Sequence, residues 1–354
     1  MSWNGHYFGS GPSPLPSEVL DSFSNKFTQV GDFRAKLYEL AHVHPVSKRQ
    51  IANIFEKIRR LLNVPEGYEV LLVTGGARHQ YEQVALNFQG SIPFCILESG
   101  MFSKKWADVL DFSGVNVRRD QFHFDTSWSD TLKNVTDDCL LCVVGNETAD
   151  GVMLPLDFEH PFIINDVTSD LGFRQLDVSR HAMLFASMGK AFHASGMSIV
   201  IIRQDMFSHC RTDLLPLQSY ISICESASMY STPSMIGLDL FDSILDWMLA
   251  SGGMVVLEKR LRERSKIIYD LLDRYSVYSC PIPGCYRSMS NICFQLCSKD
   301  VSDFVAQAEN RQLYGLRGHR MIGGVRINLY HGVSDMAFEN LCDFLSCYGE
   351  DNSI

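Results

Sequence analysis

The chain breaks again and again into short apolar runs set between stretches whose apolar residues recur every three or four positions. Residues 69–74 (EVLLVT), 94–97, 140–144, 162–164, 182–186 and 198–202 are runs of this kind, too short for helices and uniformly apolar rather than alternating. That is the pattern of strands buried on both faces of a mostly parallel sheet. Between them, Ile51, Ile54, Phe55, Ile58, Leu61 and Leu62 fall on one helical face, and residues 78–87 resume a helix after the first strand. Helical spacing dominates 236–249 and 256–275, and a strand, helix, strand, helix series follows at 291–296, 301–309, 325–330 and 336–347. The expectation is an α/β fold, with a large sheet domain sandwiched by helices and a smaller α+β domain at the C-terminal end. We divide the chain into an irregular arm rich in Gly, Pro and Ser (1–15), a large domain (16–253) and a small one (254–354), with the boundary at Gly252 and Gly253.

Composition narrows the function. A formal net charge of −10 opposes non-specific attraction to nucleic acid or anionic lipid, so any bound anion must be held by a local cluster of cations. The N-terminus lacks a basic stretch followed by an apolar one, and no window approaches the length of a membrane span. Eleven scattered cysteines, an odd number, fit a reducing compartment better than a disulfide framework. We therefore expect a cytoplasmic protein that acts on small molecules, with neither nucleic acid nor membrane as partner. Cys139 and Cys142 form a CxxC, but residues three apart on a strand point to opposite faces, so both read as core rather than metal ligands.

Three features point to one kind of ligand. Thr74-Gly75-Gly76-Ala77-Arg78 joins a strand to a helix and offers backbone N–H groups at a helix start, which suits a phosphate but matches neither the dinucleotide nor the Walker pattern. Asp166 closes an apolar run, where open α/β sheets place their ligands. Lys190 follows the next run in Ser187-Met188-Gly189-Lys190. Taken singly, these read as a turn, a cap and a solvated charge. Together they supply the three handles that pyridoxal phosphate needs, for its phosphate, its ring nitrogen and its aldehyde carbon.

On the residues that carry these features and others in the same order, the chain resembles the phosphoserine aminotransferase family of fold-type-I pyridoxal-phosphate enzymes. The matching segments are FGSGPSPLP (8–16), LLNVPEGYEVLLVTGGARHQY (61–81), GNETADGV (145–152), the block 166–190, MYSTPS (229–234), RSMSNICFQL (287–296) and GHRMIGGVRINLY (318–330). The resemblance implies a homodimer with shared active sites that passes an amino group between glutamate and a phosphorylated 2-oxo acid. It implies that Lys190 holds the cofactor and shuttles the substrate proton, and that Asp166 keeps the ring nitrogen protonated. Ala77 and Arg78 would meet the cofactor phosphate, Thr148 the ring hydroxyl, and Phe102 and Gly189 would line the ring. Ser231 and Thr232 would reach the cofactor of the neighbouring subunit. His42, His319 and Arg320 would take the substrate phosphate, and Ser10 and Arg326 the α-carboxylate.

The chain departs from the family pattern at four of its positions: Val43 replaces an arginine, Gly189 a glutamine, Phe102 a tryptophan and Ser231 an asparagine. Phe102 can still stack and Ser231 can still donate one hydrogen bond. Val43 removes a phosphate donor, which His44 or Lys48 is placed in sequence to replace. Two other functions fit the residues: a transaminase of an unphosphorylated 2-oxo acid, and a binding protein that keeps the fold without turnover. Arg317, His319, Arg320 and Arg326 also allow a solvated basic face, although their spacing among glycines in an acidic chain favours a small-anion pocket.

Overall fold

A computed structural model describes residues 5–12, 14–28, 39–124, 128–133 and 135–353. Its centre is a seven-stranded sheet of β1 (Tyr68–Thr74), β2 (Phe94–Glu98), β3 (Val117–Gln121), β4 (Leu140–Val144), β5 (Ile163–Asp166), β6 (Met183–Ser187) and β7 (Met197–Arg203). The spatial order is β1-β7-β6-β5-β4-β2-β3. All strands run parallel except β7, which is antiparallel to both of its neighbours. The expected mostly parallel α/β sheet is therefore present, and the carboxyl ends of β1, β4, β5 and β6 lie along one edge. Thr74, Val144, Asp166 and Ser187 are the residues at those ends.

Each six-run expectation from the sequence lies on a strand, within one or two residues. The seventh strand, β3, carries VRRDQ and was not legible as an apolar run. It sits at the sheet edge, where charged side chains are tolerated and discourage pairing with another chain. The alternation of faces appears in the core: Val73, Ile96, Cys142, Val144 and Phe185 pack on one side of the sheet. Cys95, Leu97, Cys139, Leu141 and Val143 pack on the other. Cys139 and Cys142 thus point to opposite faces as their spacing requires, and no group of side chains among the described residues is arranged to hold a metal.

The helices are α1 (Ser17–Thr28), α2 (Pro45–Leu62), α3 (Ala77–Phe88), α4 (Met101–Phe112), α5 (Trp128–Leu132), α6 (Tyr220–Glu225), α7 (Met235–Ala250), α8 (Gly253–Arg274), α9 (Val301–Asn310) and α10 (Asp335–Asn352). None is long and apolar enough by itself to cross a membrane. The α2 helix starts on Pro45, whose missing N–H is no loss there, with His44 as its N-cap accepting from the Val46 N–H. Gly252 and Gly253, both at positive φ, turn the chain from α7 into α8. Beyond that turn, β8 (Tyr278–Ser279), β9 (Asn291–Leu296) and β10 (Val325–Asn328) form a second, antiparallel sheet in the order β8-β9-β10. One apolar core runs from Ile51, Leu72 and Ile199 on the first side of the turn to Leu257, Ile292 and Phe344 on the second.

Within the N-terminal arm, residues 6–11 are tied to the rest of the fold. His6–Tyr7 pairs in parallel with Leu313–Tyr314, and the Phe8 carbonyl accepts from both the backbone N–H and the side-chain amide of Asn328, at 3.2 and 2.6 Å. Asn291 in turn donates to Asn328 Oδ1 at 2.7 Å and to the Tyr330 hydroxyl at 3.0 Å. This buried amide chain holds the arm so that Gly11 lies against the Gly189 carbonyl and the stem of Lys190. Replacing Asn328 with Leu removes one donor to Phe8 and leaves part of Asn291 unpaired, which costs about 1–3 kcal/mol. The expected result is a lower urea midpoint together with faster proteolysis within residues 5–16; unchanged values for both would contradict this account of the arm.

Candidate active site

The carboxyl edge of the sheet gathers the polar residues that the apolar pattern leaves over. Asp166, the last residue of β5, is buried, and its carboxylate accepts from the Thr168 N–H at 2.9 Å and the Tyr81 hydroxyl at 2.7 Å. Burial raises its proton affinity, while the bonds from Thr168 and Tyr81 and the charge of Lys190 pull it back down. On the adjacent strand end, Lys190 Nζ donates to Thr148 Oγ1, which in turn bonds Ser169 Oγ at 3.0 Å. Desolvation, then the positive charge of Arg326, lowers the lysine to about 7. Half of such amines are neutral near neutrality and therefore nucleophilic, which an ordinary lysine is not.

The Thr74–Arg78 turn forms as the sequence suggests. Gly76 is the N-cap of α3 and no side chain caps that helix start, which leaves its first N–H groups open to an anion. The loop is fixed from the neighbouring strand β7, with Gly75 donating to the Gly196 carbonyl at 2.8 Å and Ser198 Oγ to the Gly75 carbonyl at 2.7 Å. Ala77 is half-buried and Arg78 exposed at this end.

Phe102 stands in the first turn of α4, and two acidic side chains hold that turn in place. Glu147 accepts from the N–H groups of Phe102 and Ser103, both at 2.7 Å, and Asp150 accepts from that of Met101 at 2.9 Å. Burial pushes Glu147 up to about 7, opposed by its bonds from Ser103 and Phe102. One turn on, Lys105 Nζ lies 5.3 Å from the centre of the Phe102 ring. After desolvation, the positive charges of Arg78 and Arg320 lower its proton affinity. His319 is likewise depressed, by desolvation and then by Arg326, Lys105, Arg320 and Arg78. Arg78, Lys105, His319, Arg320 and Arg326, from four segments, are therefore within electrostatic reach of one another, and Arg326 also of Lys190. Among them Arg326 is buried, donates to the Thr148 carbonyl at 3.4 Å and has an Nε without a partner. A guanidinium left partly unsatisfied in such a place suits a carboxylate.

The structure thus brings together Lys190, Asp166, Thr148, Arg326, His319, Arg320, Arg78 and Phe102. Ser10 lies on the arm, its carbonyl accepting from the Tyr330 hydroxyl at 3.2 Å. Gly189 faces the same arm, and a Cβ there would come 2.9 Å from Ser195 Oγ, so the position has little room for a larger residue. His42 is placed differently: its Nδ1 lies 2.8 Å from the hydroxyl of Thr232, and that contact rather than His319 or Arg320 is its neighbour. Ser231 and Thr232 are exposed, beside a largely apolar cavity of about 470 Å³ lined by Leu72, Gly75, His79, Met197, Tyr230 and Ser231. His44 is engaged in capping α2. Lys105, Glu147, Asp150 and Tyr81 are site residues that the sequence reading missed; the acidic pair lies inside the quoted GNETADGV and Tyr81 inside GGARHQY, so the motif was seen but not the role.

Comparisons with known proteins place the chain in a family. The model of the aminotransferase class-V family matches residues 6–327. A phosphoserine aminotransferase of Pseudomonas putida is 29% identical over 371 residues, covering 99% of this chain and all of that one. The solved structure of phosphoserine aminotransferase from Bacillus circulans subsp. alkalophilus superposes with a TM-score of 0.90 at 25% identity, covering 99% of this chain and 100% of that one. The PLP-bound phosphoserine aminotransferase of Trichomonas vaginalis gives 0.89 at 25% identity, with 97% and 99% covered. The chain belongs to the class-V aminotransferases, and pyridoxal phosphate is the cofactor of that class.

The residues present fit that group: an uncapped helix start for its phosphate, a buried carboxylate for its ring nitrogen and an amine lowered to about 7 for its aldehyde. The lowered amine has a direct consequence. In cofactor-free protein, aldehyde modification of Lys190 trapped with borohydride should rise with pH through about 7 and then level off, because the neutral fraction is then complete. Mass spectrometry of the peptides reads it. A Lys190 that keeps gaining reactivity towards pH 10, in step with surface lysines, would contradict the assignment.

Proposed function

We propose that the chain transfers an amino group between L-glutamate and 3-phosphohydroxypyruvate, giving O-phospho-L-serine and 2-oxoglutarate, the transamination of serine biosynthesis. The observation that carries this reading is the group of cations at one mouth, Arg78, Lys105, His319, Arg320 and Arg326, beside an amine suited to hold the cofactor. An acidic protein has no general reason to gather so many positive groups unless its ligands are small anions with more than one charge. The full-length likeness to proteins named phosphoserine aminotransferase supports the choice of anions.

Pyridoxal phosphate, when bound, supplies a sink for the electron pair left on the substrate α-carbon once its proton is removed. Lys190 Nζ takes that proton and returns it, as a base and acid whose affinity lies close to neutral pH. Asp166 fixes the positive charge at the ring nitrogen. Ala77 and Arg78 hold the cofactor phosphate, Thr148 the ring hydroxyl, and Phe102 and Gly189 border the ring. Arg326 and Ser10 orient the α-carboxylate common to both substrates. His319 and Arg320 receive the distal anion, which is a phosphate in one substrate and a carboxylate in the other. Lys105 adds a further positive charge beside Arg78 and Arg320.

The functional unit in this proposal is a homodimer with shared active sites. Ser231 and Thr232 are exposed beside an apolar cavity, together with Tyr230 and Leu217, which are more than half exposed. They complete the partner's cofactor site, and His42, bonded to Thr232, goes with them to the partner's substrate mouth. The division into an arm, a large domain and a small domain at Gly252–Gly253, and a cytoplasmic setting, belong to the same proposal.

Initial rates with glutamate and each of phosphohydroxypyruvate, hydroxypyruvate, pyruvate and glyoxylate test it. The expected pattern is ping-pong kinetics with a strong preference for the phosphorylated acceptor. Loss of a charged donor to a desolvated anion makes Arg320→Ala roughly a hundredfold lower in kcat/KM for that acceptor, with a smaller effect on the others. Sedimentation should find the active species dimeric. Equal or better turnover of the unphosphorylated acids would overturn the substrate, and a fully active monomer would overturn the shared sites.

A further inference from the structure

Tyr81 is the least expected residue around Asp166. Its ring is buried in an aromatic stack, parallel to Trp106 at 5.0 Å between centres and 8° between planes. Its edge meets Phe185 at 6.0 Å and 72°. Trp106 itself meets Phe185 edge-on at 5.3 Å. Phe185 lies on β6 directly opposite Asp166 in the ladder. Two rings thus fix the direction of the Tyr81 hydroxyl, which donates to Asp166 Oδ2 at 2.7 Å. Thr168 N–H holds the other oxygen, Oδ1, at 2.9 Å.

A tyrosine in such a stack could be plain core whose hydroxyl happens to find an acceptor. Phenylalanine would serve that purpose better, since a buried hydroxyl gains little from packing and must be satisfied. Here the oxygen is directed at a buried carboxylate at the strand ends, not at a backbone carbonyl. We propose that Tyr81 is a positioning residue for the cofactor: its hydroxyl keeps the Asp166 carboxylate ionised and aimed at the ring nitrogen. This rests on the reading of Asp166 as the partner of that nitrogen. The same α3 helix then serves both ends of the cofactor, with its first residues at the phosphate and Tyr81, one turn later, behind the ring.

The charge balance around Asp166 shows why the hydroxyl matters. The groups that face it are Lys190 across the cleft, Asp170 one turn along its own segment, Thr168 and Tyr81; Tyr81 in turn faces Glu147 and Arg78. Burial favours the neutral acid, while the charge of Asp170 is paired with Arg174 at 2.8 Å. Lys190 opposes burial only in its charged form, and near pH 7 much of it is neutral. The bonds from Thr168, through its side chain and its N–H, and from Tyr81 therefore carry most of the stabilisation of the carboxylate. With the Tyr81 hydroxyl gone, Asp166 takes up a proton at a higher pH, and its hold on a protonated ring nitrogen is lost sooner as pH falls.

Pyridoxamine 5′-phosphate is the probe, because it has the same ring nitrogen and phosphate but no aldehyde for Lys190 to capture. Its dissociation constant is measured by fluorescence against pH for wild type, Tyr81→Phe, Asp166→Asn and the double variant, after each is shown to be folded by circular dichroism. Tyr81→Phe should bind about tenfold or more weakly at neutral pH, and the acid limb of its binding curve should move to higher pH. In the Asp166→Asn background the same substitution should change nothing. A Tyr81→Phe curve that superimposes on wild type, or an equal loss in the absence of the carboxylate, overturns the inference and leaves Tyr81 as packing. If wild type does not bind the probe at all, the underlying reading of the site fails instead. Should Tyr81→Phe not fold, Trp106→Phe retains the hydroxyl while loosening the ring that aims it, and should move the acid limb the same way by a smaller amount; no movement would overturn the inference.

Discussion

A lysine and an aspartate at neighbouring strand ends, each in surroundings that disfavour its charge, are the constraint on which the rest of the structure depends. Desolvation lowers Lys190 and raises Asp166, so neither holds its charge as it would in water. Such a pair is costly to keep in an empty core and useful only where another molecule completes it. The α/β sheet makes the arrangement possible. Parallel β5 and β6 present their carboxyl ends side by side, and the antiparallel β7 brings Gly196 and Ser198 back to brace the Gly75 turn on the same edge.

Around that pair the chain invests in rigidity. Glu147 and Asp150 both take up N–H groups at the start of α4, which fixes Phe102 and carries Lys105 to the mouth of the site. The Trp106 ring of the same helix stacks on Tyr81, so the helix that carries Phe102 also supports the residue that bonds Asp166. From the opposite side, Asn291 and Asn328 anchor the arm against Gly189 and Lys190. Preorganisation of this kind lets a site hold charge without rearrangement when the ligand arrives.

Much of this was legible in the sequence because buried strands and amphipathic helices leave simple periodic signals. The runs at 140–144 and 291–296 coincide with their strands, Asp166 ends β5, and Lys190 lies in the turn three residues beyond the end of β6. What failed to show has physical reasons. The charged strand β3 lies at an edge, where no apolar pattern is required. Lys105 comes close to Arg78 and Arg320 only through the fold, so sequence order did not single it out, and His44, which sequence order did suggest as a replacement for the charge lost at Val43, is occupied as a helix cap. Tyr81 reads as one more apolar position of α3, because its direction depends on Trp106 and Phe185 from two other elements. His42 was grouped with His319 and Arg320, yet within one chain it meets Thr232, a pairing that sequence order does not reveal.

The central claim is that Lys190 is the residue that holds pyridoxal phosphate. Borohydride reduction of the protein loaded with the cofactor, followed by peptide mapping, tests it most directly. The account predicts a single modified peptide containing Lys190, and loss of the visible absorbance in a folded Lys190→Ala variant. Fixation of the cofactor on any other lysine, or an unchanged absorbance in that variant, would contradict it.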